Sequence, residues 1–157
     1  MKRNEAGFTL IELVLVGALL SVLVGLTVPG FRLAFDRFAE ERAASELEEV
    51  SHYARSIAIM RGIPVRISFS DEEGGYRLLR GTDGKFIPVA GAAGRRHTLP
   101  GGARAQGTAR DVTFLPNGTA MGGPLDIWRG KEALWRVQVD PVLGELKCVE
   151  PSPASAG

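Results

Sequence analysis

An unbroken run of uncharged residues, from position 13 to position 31, constrains the fold of this chain more than any other feature. As an α-helix this run is about 28 Å long at roughly 1.5 Å per residue, close to the ~30 Å hydrocarbon core of a bilayer. Lys2 and Arg3 precede the run, and no basic residue follows until Arg32. The sequence therefore predicts one transmembrane helix over residues 8–31, with the N-terminus in the cytoplasm and the rest of the chain across the membrane.

A secretory signal peptide that is removed after export is the main rival interpretation of this run. The basic start fits that class, but the apolar run is long for it and no Ala-x-Ala cleavage site follows. Pro29, Gly30 and Phe31 occupy the positions where cleavage would be expected. The sequence therefore favours an apolar segment that stays in the mature protein.

A single carboxylate, Glu12, stands at the start of the apolar segment. A charge inside the bilayer is costly, so an acid at this position indicates a function unless it only lies at the headgroup boundary. A helix that served only as an anchor would gain from leucine here. The carboxylate is explained if it meets a cationic group when helices pack together, because a close opposite charge offsets the cost of removing it from water.

Residues 7–12, Gly-Phe-Thr-Leu-Ile-Glu, together with the short basic leader and the apolar run, resemble the type IV prepilin signature. The resemblance implies that a prepilin peptidase cuts between Gly7 and Phe8, removes residues 1–7 as a leader, and methylates the new amine of Phe8. It also implies that Glu12 pairs with the Phe8 amine of a neighbouring subunit and sets the register of helices in a filament. Pro29 fits the family as well, because proline at this point bends or loosens the helix.

The apolar positions keep a helical spacing beyond residue 31, which predicts an amphipathic continuation of the helix over residues 32–62. Gly62, followed by Ile63 and Pro64, is a stop signal. The stripe covers too few heptads for a coiled coil, so we expect it to pack on a β domain of the same chain. The acids between residues 36 and 50, and the pair Ser51 and His52, are predicted to be solvated. The stripe consists of Phe31, Phe35, Phe38, Ala43, Leu47, Val50, Ala54 and Ile57.

Residues 63–150 are predicted to form a β-rich domain. Val65, Ile67 and Phe69 alternate with polar residues, which is the period of a half-buried strand. Residues 71–75 are predicted as a turn, residues 91–107 as a long loop, and the tail, residues 151–157, as disordered. Further strands are predicted over residues 76–80, 86–89, 112–114, 125–128, 135–139 and 145–149.

The C-terminal half carries a second resemblance, to the GspH/FimT group of type IV pilin-like minor pseudopilins. Their hallmark is a strand that ends in Phe-x-Pro-x-Gly-Thr, followed by two final strands joined by a turn with glycine. Phe114, Pro116, Gly118, Thr119 and Gly144 occupy those places. The two resemblances imply an α+β fold, in which a long N-terminal helix, transmembrane and then amphipathic, packs on a C-terminal antiparallel β-sheet domain.

The resemblance implies a structural subunit: a minor pseudopilin of a type II secretion system. Such a subunit is held in the bacterial inner membrane, with its domain in the periplasm, until it joins a periplasmic pseudopilus. The expected partners are the prepilin peptidase, the other major and minor pseudopilins, the inner-membrane assembly platform and, as a candidate, the secreted substrate. No cofactor is expected.

A DNA-binding subunit is the alternative from the same family, as a FimT/FimU-like minor type IV pilin. Its candidate basic surface comprises Arg95, Arg96, Arg104 and Arg110, whose guanidinium groups suit phosphates. No aromatic residue alternates with these arginines, which weakens the case for single-stranded nucleic acid.

An enzyme has little support in the sequence. No Ser/His/Asp grouping, metal set or phosphate loop stands out. His52 and His97 lack the spacing of zinc ligands, and the single cysteine, Cys148, cannot form an intramolecular disulfide.

Overall fold

The computed structural model describes residues 9–70, 74–107 and 109–151, and within the helix it describes the side chains outside residues 26–34. The chain divides into two compact units, Met1–Phe38 and Ala39–Gly157. Gly7, Phe8, residues 71–73 of the predicted turn and nearly all of the predicted tail lie outside the described residues. Cleavage between Gly7 and Phe8, the turn and the disordered tail therefore stay predictions.

One helix, α1, spans Leu10–Arg61. At its start the amide of Glu12 donates to the Thr9 carbonyl at 3.1 Å and to the Thr9 hydroxyl at 3.4 Å, so Thr9 caps the helix. At its end Gly62 has φ +65°, a left-handed conformation that favours glycine and that commonly terminates helices. The bend predicted at Pro29 stays a prediction. In the part of the chain whose side chains are described, no helix combines the length and the hydropathy needed to cross a membrane.

Ten strands follow the helix in the described residues, and their pairings are all antiparallel. They are β1 (Val65–Ser70), β2 (Gly75–Thr82), β3 (Lys85–Pro88), β4 (His97–Thr98), β5 (Arg104–Gly107), β6 (Asp111–Phe114), β7 (Ala120–Met121), β8 (Leu125–Arg129), β9 (Glu132–Asp140) and β10 (Glu145–Val149). The first sheet has the order β3-β2-β1-β6-β7, with β4 also paired to β2, and the second has the order β10-β9-β8-β5.

The hydrophobic core joins the second half of α1 to both sheets. Leu47, Ala54 and Ile57 of the helix belong to the same buried cluster as alternate residues of β1 and β8, which confirms the predicted packing of this part of the stripe on a β domain. Phe35 and Phe38 also belong to the predicted stripe, but they are not buried. Their side chains are 69% and 67% exposed. Both lie in the first unit, which contains no strand among its described residues to cover them.

The structure differs from the sequence prediction over residues 91–107, which contain β4 and β5 rather than one long loop. In β5 the side chain of Ala105 is buried, and a Cβ on Gly107 would lie 2.9 Å from the Cβ of Leu125. Small residues thus allow β5 to approach β8 closely. Two residues are too few to show an alternating pattern, and the four residues of β5, Arg-Ala-Gln-Gly, include none of the β-branched or aromatic types that favour strands.

Candidate assembly helix and domain surfaces

The first two-thirds of the apolar segment presents hydrophobic side chains on every side of α1. Their exposed fractions range from 47% to 82%. A helix that is apolar all round requires an apolar environment, either lipid or other helices. The exposed residues are Leu10, Ile11, Leu13, Val14, Leu15, Val16, Leu19, Leu20, Val22, Leu23 and Val24.

Glu12 is exposed in the first turn of this helix. A carboxylate in the first turn interacts favourably with the helix dipole, and Thr9 and Glu12 have the spacing of a capping box. The carboxylate is therefore accessible to a neighbouring molecule and also suits the helix start. The Phe8 amine proposed as its partner lies outside the described residues, so that pairing stays a prediction.

Small residues form a stripe along the same helix. Gly17, Ser21 and Gly25 follow one another at intervals of four, which places them on one face. A Cβ at either glycine would meet nothing within 4 Å, and the Ser21 hydroxyl donates to the Gly17 carbonyl at 2.8 Å. Ser21 is nine positions after Glu12, which is about half a turn around the helix at 3.6 residues per turn. The stripe and the carboxylate thus face opposite sides.

Three acids from the acid-rich part of α1 attach the helix to the β domain. Glu40 Oε1 lies 2.6 Å from Arg129 Nη1, and Glu46 Oε1 lies 2.8 Å from His97 Nδ1. Glu48 accepts the backbone N–H of Cys148 at 2.7 Å, at the edge of the second sheet. The prediction that this segment is only a solvated face is therefore wrong for these three acids, because their partners come from strands far along the chain.

Ser51 also differs from its prediction as part of a solvated pair, since it is 1% exposed. Its hydroxyl donates to the Glu48 carbonyl at 2.7 Å, which satisfies the group and lets it lie in the interface. Cys148 is held nearby, and burial, assisted by Glu48, raises the pKa of its thiol to about 12. Neither residue has the activated environment that a nucleophile needs. The described residues also contain no group of three potential metal ligands.

The hallmark glycines of the C-terminal half meet at one point. Gly144 lies so close to Gly118 that a Cβ on it would be 2.1 Å from the Gly118 carbonyl oxygen. Arg55 of α1 donates from Nε to that oxygen at 3.1 Å, and Ala120 donates its N–H to the Pro141 carbonyl at 3.2 Å. The turn after β6 therefore packs on the turn between β9 and β10, beneath an arginine that the sequence reasoning did not single out.

The four candidate basic residues do not share one flexible loop. Arg95 and Arg96 precede β4, Arg104 is in β5 at the edge of the second sheet, and Arg110 lies just before β6. All four are exposed. Arg96 and Arg110 already take part in interactions within the chain, which reduces their availability to an external phosphate.

The chain matches two protein families. Type II transport protein GspH matches residues 43–143, and the prokaryotic N-terminal methylation motif matches residues 2–28. No curated protein sequence matches the chain significantly.

Solved structures from two bacteria have a similar fold. The minor pseudopilin EpsH from the type II secretion system of Vibrio cholerae is 15% identical, over 74% of this chain and 96% of that one, with a TM-score of 0.59. The type IV minor pilin FimU of Pseudomonas aeruginosa is 21% identical, over 74% of this chain and 99% of that one, with a TM-score of 0.53. These similarities confirm the predicted α+β, pilin-like fold.

Proposed function

Because the chain belongs to the Type II transport protein GspH family, we propose that it is a minor pseudopilin that assembles through α1 into the pseudopilus of a type II secretion system. The observation that carries this proposal is the exposed apolar surface around the start of α1, with one carboxylate, Glu12, in the first turn. An apolar surface of this kind can be buried first in the bilayer and later against other helices.

Processing by a prepilin peptidase is the first step of the proposed function. The enzyme cuts between Gly7 and Phe8 and methylates the new amine, and the match of residues 2–28 to the methylation motif supports this step. The uncharged run over residues 13–31 then holds the subunit in the inner membrane, with residues 63–150 in the periplasm. Intact mass of the protein from its native membrane tests this step, with a chain that begins at methylated Phe8 expected.

Assembly is the second step, at the inner-membrane platform and beside other pseudopilins. Glu12 pairs with the Phe8 amine of a neighbour, which neutralises both charges in an apolar surrounding and sets the helix register. The small-residue stripe on the other side of the helix permits close approach of a second neighbour. The β domain, attached to α1 by Glu40, Glu46 and Glu48, faces other subunits and the exported substrate.

Substitution of Glu12 tests the assembly step. In Glu12→Leu we expect an unchanged membrane fraction and about tenfold or greater loss from sheared pseudopili, because the neighbouring amine is left without its counter-charge. Glu41→Leu, at an exposed acid elsewhere on α1, is the matched control and should assemble normally. Normal incorporation of Glu12→Leu would refute the proposed pairing.

A minor type IV pilin that binds DNA is the second candidate function, favoured by the four exposed arginines and by the fold shared with FimU. Arg96 and Arg110 already take part in interactions within the chain, and the family model is that of a type II transport protein, so secretion remains the preferred role. Salt-dependent retention on DNA that is lost in Arg95→Gln/Arg104→Gln would favour this second function instead. A catalytic role is not proposed, since the family and the fold belong to structural subunits.

A further inference from the structure

One arginine of the first sheet, Arg80, is half-buried. Arg80 is on β2, opposite Val65 of β1 and Ile87 of β3. Because side chains alternate along a strand, it shares the inward face of β2 with Tyr76 and Leu78, which are buried. Its Nε is buried and has no hydrogen-bond partner among the described residues. Buried donors are normally paired, so this group suits an acceptor from outside the described part of the chain.

Arg80 lines an open depression of about 460 Å³ between the segment that follows α1 and the β2–β3 hairpin. Ile63, Pro64 and Phe86 form its apolar walls, and Lys85 adds a second cation. Asp83, in the hairpin turn, is the one acid among the lining residues. The volume is in the range typical of ligand sites, and the lining combines apolar area with a few polar groups, as such sites do.

The nearby cation Arg66 does not compete for the same ligand. Its guanidinium stacks over the Phe86 ring at 3.8 Å and pairs with Asp111 at 3.1 Å. Its charge is thus already balanced, and it helps to hold the Phe86 ring in place. Arg80 and Lys85 remain as the cations available to an incoming group.

We propose that this depression, the Arg80 site, binds a carboxylate from an acidic and partly apolar polypeptide segment of a partner protein. A carboxylate matches the planar fork of donors on a guanidinium group. The apolar walls call for an apolar side chain next to that carboxylate, which inorganic phosphate lacks. Nucleic acid requires more cations than two, and the whole chain has a net charge of only +1. The basis of this inference is separate from the filament role, because none of the lining residues belongs to α1.

Nuclear magnetic resonance on the full chain in detergent micelles, labelled with ¹⁵N-arginine, tests the site. The Nε–H signal of Arg80 is assigned by its loss in Arg80→Lys. The probe is the peptide acetyl-Glu-Leu-Glu-Glu-Val-amide, with acetyl-Gln-Leu-Gln-Gln-Val-amide and inorganic phosphate as comparisons. We expect a saturable shift of this signal with the acidic peptide, none with the amide peptide and a smaller one with phosphate. No shift with the acidic peptide, or an equal shift with phosphate, overturns the proposal.

The variant Arg80→Met separates recognition from a structural role. It keeps the length of the side chain and removes a buried donor that has no partner, so we expect an equal or higher Tm. Affinity for the acidic peptide should fall about tenfold or more, the loss typical of a charged hydrogen bond. Arg95→Met, at an exposed arginine outside the site, should keep the affinity. A lower Tm with unchanged affinity in Arg80→Met overturns the proposal, and the wild-type titration decides alone if the variant does not fold.

Discussion

The contact between the two hallmark turns makes a quantitative prediction for Gly144→Ala. Gly144 has φ +62°, where an alanine costs about 1–2 kcal/mol through its own backbone conformation. The new Cβ would also lie 2.1 Å from the Gly118 carbonyl oxygen and 3.1 Å from Arg55 Nε. The first distance is far below contact, and the obstructing atom is backbone, so one turn must move.

Movement of that turn weakens the hydrogen bond from Arg55 Nε to the Gly118 carbonyl. A hydrogen bond from a charged group contributes about 1.5–3 kcal/mol, so we expect Gly144→Ala to lower the free energy of unfolding by about 2.5–5 kcal/mol in total. Gly130→Ala is the matched control, because Gly130 has the same φ of +62° in the β8–β9 turn and nothing within 4 Å of its Cβ position. We expect it to cost only about 1–2 kcal/mol.

Tryptophan fluorescence during thermal unfolding of the full chain in detergent measures this difference. Both tryptophans, Trp128 and Trp135, are in the second sheet, so their signal reports the β domain without a contribution from the start of α1. At about 3 °C per kcal/mol for a chain of this size, Gly144→Ala should melt about 8–15 °C below wild type, and Gly130→Ala about 3–6 °C below it. Equal shifts in the two variants would mean that the close contact has no energetic role, and the reasoning would be refuted.

Two further predictions concern the thiol and the small-residue stripe. Because burial raises the pKa of Cys148 from 9.0 to about 12, the folded state binds a proton that the unfolded state releases, so the free energy of unfolding should fall as pH rises from about 9 to about 12. Cys148→Ala should reduce that loss, leaving a part due to Tyr76, whose pKa burial also raises; an unchanged pH profile in the variant would contradict the assignment. At pH 8 the folded thiol should react with iodoacetamide at least about a hundredfold more slowly than the urea-unfolded thiol, and similar rates would contradict its burial. Gly17→Leu should leave the membrane fraction unchanged and reduce incorporation into pseudopili, because the larger side chain keeps a neighbouring helix away. Val22→Leu, outside the stripe, is its control, and equal incorporation of the two variants would count against the stripe.

Long and regular features of this chain could be predicted from its sequence. The helix ends at Arg61, beside the predicted stop at Gly62, and β1 and β2 coincide with the strands predicted around residues 65–69 and over residues 76–80. The length of the helix follows from a pattern that repeats over many residues, whereas its end follows from the local stop signal and each strand from a short alternation. The strands β4 and β7 escaped prediction because two residues carry too little pattern, and β5 escaped it because Arg-Ala-Gln-Gly contains no β-branched or aromatic residue.

The candidate functional residues also divide into those that the sequence reveals and those that it does not. Glu12 could be recognised from the sequence, because a single acid at the start of an apolar run is unusual whatever the fold. Arg55 and Arg80 could not, since nothing in the residues around them shows that one would meet the Gly118 carbonyl and the other would be buried without a partner. An arginine on a helix or a strand is ordinary until its surroundings are known.

The sequence by itself determined the apolar helix, its amphipathic continuation and the β-rich domain, because periodicity, charge and turn chemistry act between near neighbours. Only the tertiary structure decided which acids attach the helix to the domain, and it brought Arg55 to a carbonyl 63 positions away. Such contacts depend on the relative placement of whole elements in the Ala39–Gly157 unit. That placement results from burying one shared core, and no local pattern encodes it.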